Sequence, residues 1–145
     1  MKKILISLIA VMAVVLSAQA SDTYSRDASV LPAPARTVLK NSFKAGVSLV
    51  KIDKELFNTE YEAILTDGTE VKFDSNGNWK EVECPAGKSV PDSFVPAAIR
   101  NWVKSNHKGT RIIGIEKDRK GYEIKLSNGI DAKFNRQGAF KRYDD

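Results

Sequence analysis

The residue types that carry most enzymatic and metal chemistry are scarce in this chain. Its 145 residues include one histidine, His107, and one cysteine, Cys84. A hydrolytic triad or a zinc site needs several such groups at set spacing. His107, between Asn106 and Lys108 at the end of an expected helix, therefore reads as a surface or capping histidine. Cys84 has no second cysteine with which to form an internal bridge. It reads either as a small buried apolar residue or, since it precedes Pro85 in a polar stretch, as an exposed thiol open to an intermolecular disulfide. Asp74, Asn76 and Asn78 imitate the first ligands of a calcium loop, but Trp79 stands in the place of its glycine and Pro85 in that of its bidentate glutamate. The corresponding stretch Asn135–Ala139 lacks the ligands too. No spacing marks a general acid, base or nucleophile. The sequence predicts a protein that is not an enzyme and that uses neither metal nor cofactor.

What remains is the chemistry of a surface. Strand alternation sends Glu62, Ile64, Glu70, Lys72, Glu123, Lys125, Asp131 and Lys133 to one face, and Val71, Phe73, Tyr122, Ile124, Leu126, Ala132 and Phe134 to the other. Opposite charges on the first face are, taken alone, those of a solvated sheet with cross-strand pairs. Trp79 and Phe140, at matching places in two closing strands, add the aromatic component of an interface. Alternation groups Trp79 with Glu81 and so turns it toward solvent; the competing reading has Trp79 covering the edge of the core. The candidate binding residues are Trp79, Phe140, Ile64, Glu62, Lys72, Glu81, Lys125 and Lys133.

The elements that must position these residues emerge from an internal match. A shift of 61 maps Tyr61, Glu62, Leu65, Gly68, Lys72, Phe73, Gly77 and Lys80 onto Tyr122, Glu123, Leu126, Gly129, Lys133, Phe134, Gly138 and Lys141, which is 8 identities in 23 positions without a gap. Background residue frequencies would give about one or two, so the match reads as a tandem duplication. With small offsets it extends upstream, pairing Leu31-Pro32 with Val95-Pro96; the first unit has a longer turn around Phe57 to Glu60. Ala35, Val38, Leu39 and Phe43, and again Ala98, Ile99, Trp102 and Val103, fall at helical spacing, with Pro34 and Pro96 in the first turn and Gly46 or Gly109 as the stop. The period then changes to two. Asp67-Gly68 and Asn128-Gly129 are tight-hairpin dipeptides, and Ser75-Asn76-Gly77 and Gln137-Gly138 signal a second hairpin in each unit. The expected fold is α+β: two units of one helix and about four antiparallel strands, residues 31–83 and 93–145, joined by a linker at 84–92. They share one sheet of about eight strands with both helices on one face.

Residues 1–20 have the form of a secretory signal: Lys2 and Lys3, an apolar run from Ile4 to Leu16, and Ala18-Gln19-Ala20 before the expected cleavage. That run is short of the ~20 residues a spanning helix needs, so no stable membrane anchor is expected after cleavage. Residues 21–30 read as a flexible tail. Removing Lys2 and Lys3 from the 23 basic residues leaves 21 against 18 acidic and takes the net charge from +5 to +3. The charges are interspersed, unlike the clustered basic face of a nucleic-acid binder.

Leu31-Pro32 or Val95-Pro96 opening a helix, an apolar strand, Tyr-Glu, an Asp-Gly or Asn-Gly turn, Lys-Phe, and a closing Gly-x-aromatic-Lys resemble the PepSY-like family of periplasmic proteins related in fold to the β-lactamase inhibitor proteins. The resemblance covers Leu31 to Tyr143. It implies an α+β fold whose curved sheet holds a protein partner, and it rests on turn and core residues rather than on functional ones. Two functions are expected from different classes. The first is an exported periplasmic protein that binds a protein or peptide on its open sheet, with an inhibitor as one form. The second is a structural or envelope accessory protein that self-associates.

Overall fold

The computed structural model describes residues 22–144, so the expected signal peptide lies outside the described residues. Among these, one antiparallel sheet of nine strands follows the order of the chain: β1 (Asp22–Ser25), β2 (Val47–Glu55), β3 (Asn58–Leu65), β4 (Glu70–Phe73), β5 (Trp79–Glu83), β6 (Ile112–Lys117), β7 (Gly121–Leu126), β8 (Asp131–Asn135) and β9 (Phe140–Asp144). Two ten-residue helices interrupt the meander, α1 (Ala33–Ser42) before β2 and α2 (Ala97–Asn106) before β6.

The ninth strand comes from the stretch read as a flexible tail. Asp22–Ser25 pairs with Val50–Asp53 on the outer side of β2, and Lys51 meets Asp22 at 3.4 Å. A long strand left with unpaired backbone groups is a ready template, and Thr23 and Tyr24 are good strand residues. The stretch read as a linker is likewise tied down: the Cys84 and Val90 N–H groups donate to the Ile113 and Ile112 carbonyls, both at 2.8 Å.

Each helix starts directly after a proline, Pro32 or Pro96, and lays two buried side chains on the sheet, Ala35 and Leu39 from α1, Ile99 and Val103 from α2. Both helices end before the glycines expected to stop them, with the Phe43 and His107 N–H groups donating to the Leu39 and Val103 carbonyls. Beneath them lies a single core of Val50, Leu65, Val71, Phe73, Val82, Ile115, Ile124, Leu126 and Phe134. Gly77 and Gly138 set the closeness of this packing. Both have positive φ, and a Cβ there would come within 3.0 Å of the Ala35 nitrogen or the Ala98 Cβ, at the start of the helix that each hairpin supports.

Candidate functional site: the open face of the sheet

Because the hairpins are in register, the outward side chains line up across the strands. One row runs through Lys51, Glu62, Lys72, Glu81, Glu116, Glu123, Lys133 and Arg142, one residue from each strand from β2 to β9. A second row runs through Ile64, Glu70, Glu83, Gly114, Lys125, Asp131 and Asp144. The structure thus brings Glu62, Ile64, Lys72, Glu81, Lys125 and Lys133 together on the face away from the helices. Glu83, Glu116 and Asp144 join them, and these three escaped sequence reading. β5 and β6 are neighbours in the sheet, yet the stretch Cys84 to Arg111, which contains α2, separates them in the chain. That separation hides the pairing of Glu81 with Glu116 from any reading of local pattern.

Trp79 and Phe140 are not on this face, contrary to strand alternation. The register slips between Lys72 and Phe73 and between Lys133 and Phe134, so that Phe73 lies opposite Trp79 and Phe134 opposite Phe140. Lys80 and Lys141 are the extra residues of two bulges, and an extra residue reverses the side to which its neighbour points. Trp79 packs edge-on against Phe94 at 5.2 Å, with the Lys117 ammonium 4.1 Å from its ring centre. Phe140 stacks on Trp102 of α2 at 4.6 Å. Trp79 covers the edge of the core, while Phe140, 37% exposed, lies over Trp102 and Phe134 on the helix side. His107, the residue that caps α2, joins the second cluster through a 3.0 Å hydrogen bond between its Nε2 and the Tyr143 hydroxyl.

The open face is unevenly charged. Around Lys72 stand Glu62, Glu70, Glu81 and Glu83, and Lys72 pairs with Glu81 at 3.7 Å. Burial, then the charge of Glu62 and a hydrogen bond with it, then the charge of Glu83, push the Glu70 carboxyl up to about 7. Burial also raises Glu81, against the pull of Lys72, and Glu83, against that of Lys125. Glu62 is 7% exposed, and its Oε1 has no hydrogen-bond partner. Farther along, Glu123 is 4% exposed; burial, then the hydrogen bond and charge of Asp144, push it up to about 7. Toward β8 and β9 the balance changes. A hollow of about 340 Å³ there is lined by Lys120, Lys133, Lys141 and Arg142 as well as by Glu116, Asp118 and Glu123. The face has an acidic centre and a flank of mixed, more basic character.

The other candidates are consumed locally. The Asp74 carboxylate accepts from the Asn76 and Asn78 N–H groups, both at 2.9 Å, and shapes its own turn. Cys84 is buried rather than exposed, and burial pushes its thiol up to about 11. Among the described residues, no three or more His, Cys, Asp or Glu side chains converge as metal ligands do, and no helix is long and apolar enough to cross a membrane.

Fold and face together define a class: an α+β protein with a one-layer antiparallel sheet, helices on one side and a charged surface on the other. Within it, the chain belongs to the PepSY-like family, whose model, described as "Putative beta-lactamase-inhibitor-like, PepSY-like", matches residues 59–142. Among solved structures it is similar to a "putative periplasmic protein of unknown function" from Bacteroides vulgatus, with 40% identity and a TM-score of 0.82 over 86% of this chain and 100% of that one. It is also similar to a "putative calcium-regulated periplasmic protein" from Bacteroides thetaiotaomicron, with 34% identity and a TM-score of 0.78 over 87% and 97% of the two chains. No curated protein matches the sequence.

Proposed function

We propose that this chain is an exported, non-catalytic binding protein of the periplasm and that the open face of its sheet receives a basic segment of a protein or peptide. Export is supported by the form of residues 1–20 and by the periplasmic descriptions of the similar structures. The match of residues 61–83 with 122–144 is read as a duplication, in which the shared residues build turns and core. Of the four glutamates around Lys72, Glu81 is the one whose counterpart, Arg142, has the opposite charge.

One observation carries the binding reading: four glutamates surround Lys72, and one of them, Glu62, keeps a buried oxygen without a hydrogen-bond partner. A buried carboxylate oxygen without a partner is costly. A lysine or arginine side chain laid across β3 to β6 would supply a donor to that oxygen and add a cation to four glutamates that share Lys51, Lys72 and Lys125. Toward β8 and β9 the face carries both signs, so the basic requirement falls on the part of the partner that lies over β3 to β6. The calcium in the description of the Bacteroides thetaiotaomicron protein belongs to that protein.

The test is a titration of the isotope-labelled mature protein, followed by NMR, with a short arginine-rich peptide and with its glutamate counterpart. The arginine peptide should shift the amides of β3 to β6 selectively, and Glu70→Gln with Glu83→Gln should weaken the effect. Equal responses to both peptides, or arginine shifts confined to other surfaces, would refute the reading.

A further inference from the structure

The two most exposed large apolar side chains among the described residues sit side by side. Leu56 is 89% exposed and Phe57 95% exposed, at the tip of the hairpin between the paired Glu55 and Asn58. A two-residue hairpin turn ordinarily takes Asn-Gly or Asp-Gly, because its backbone twist asks for positive φ. Leu-Phe serves neither turn chemistry nor solubility. The connection between β6 and β7, Asp118-Arg119-Lys120, is polar. Single exposed apolar residues are ordinary, but an adjacent pair at a projecting tip has the composition of an anchor.

The same molecule carries an apolar hollow of matching character. Beside α1, Leu31, Leu39, Phe43 and Val47 line a groove of about 440 Å³, walled also by the cations Arg36, Lys40 and Lys44. A cavity of roughly 150 Å³ holds a benzene ring, so this groove has room for a phenyl ring and an isobutyl group together. We infer that the Leu56-Phe57 tip of one copy docks into the groove beside α1 of a second copy.

The geometry requires a second molecule. Val47 and Glu55 are the opposite ends of β2, and eight steps at ~3.3 Å each separate them by about 26 Å, so the tip does not reach its own groove. Charge favours the pairing as well. Glu55, next to the tip, would approach a groove whose charged walls are all cationic, while alternation turns Lys54 to the other side of the hairpin. Tip and groove are different surfaces, so the contact is compatible with a reciprocal two-fold dimer, a closed ring or a head-to-tail chain. It is independent of the open-face reading.

Sedimentation velocity on the mature protein, over a wide concentration range reaching millimolar, tests the inference. The weight-average mass should rise with concentration, and Phe57→Ser should weaken association about tenfold or more with the melting temperature unchanged. Glu55→Lys alone and Lys40→Glu with Lys44→Glu should each weaken it, and all three together should restore it. Glu70→Gln with Glu83→Gln should leave it unaltered, which separates this contact from the open face. A protein that stays monomeric throughout, an association indifferent to Phe57→Ser, or a charge exchange without recovery would each overturn the proposal. So would a monomer whose tip binds lipid vesicles instead.

Discussion

Replacing Glu123 by glutamine should stabilise the protein at alkaline pH and not at acid pH. The carboxyl is carried from an ordinary 4.5 up to about 7 by burial and by Asp144. At ~1.4 kcal/mol for each tenfold change in proton affinity, that displacement costs the charged form at most ~3.5 kcal/mol. The open side of the sheet lets solvent screen part of this, so ~1–2 kcal/mol is the expected figure. The sign follows from linkage. A raised folded-state value means that the native protein binds the proton more tightly than the unfolded chain, so no penalty exists below about 4.5. The penalty grows as pH rises and is complete above about 7. Glutamine has no charge to bury at any pH. Urea denaturation of wild type and Glu123→Gln at pH 5 and pH 8 should therefore show the variant gaining ~1–2 kcal/mol on the wild type between the two conditions. A stability difference that stays constant with pH, or that moves against the variant at pH 8, would refute the reasoning.

Other perturbations follow from the packing. Gly121→Ala drives a Cβ into the Phe134 carbonyl oxygen at a positive φ and should cost ~3 kcal/mol or more in a thermal melt, since neither backbone can yield. Trp102→Ala removes a ring packed on Phe134, Phe140 and Tyr143 and should cost ~3 kcal/mol, read by denaturant unfolding. Cys84, buried with its thiol pushed up to about 11, should react with a thiol reagent only slowly in the native protein and fully on unfolding.

The parts of the fold that were legible in sequence are those specified by residues near one another in the chain. Asp67-Gly68 and Asn128-Gly129 mark their turns because few residues tolerate the required φ, and Ala35 with Leu39, or Ile99 with Val103, mark their helices by spacing. The placement of Trp79 and Phe140 was not legible. A single bulge residue, Lys80 or Lys141, reverses the face of everything before it, and no side chain there differs in type from one in a regular strand. The strand at Asp22–Ser25 was hidden for a related reason: its pairing depends on the bare edge of β2, far along the chain. The acidic centre was legible only in part. Glu62, Lys72 and Glu81 come from adjacent hairpins, but Glu116 joins them through a contact that spans the whole of α2.

The central claim is that the acidic centre around Lys72 receives basic side chains, and the arginine-peptide titration tests it most directly. The expected result is a set of selective shifts across β3 to β6 that shrink when Glu70 and Glu83 become glutamine. A response to the arginine peptide that survives both substitutions unchanged would contradict it.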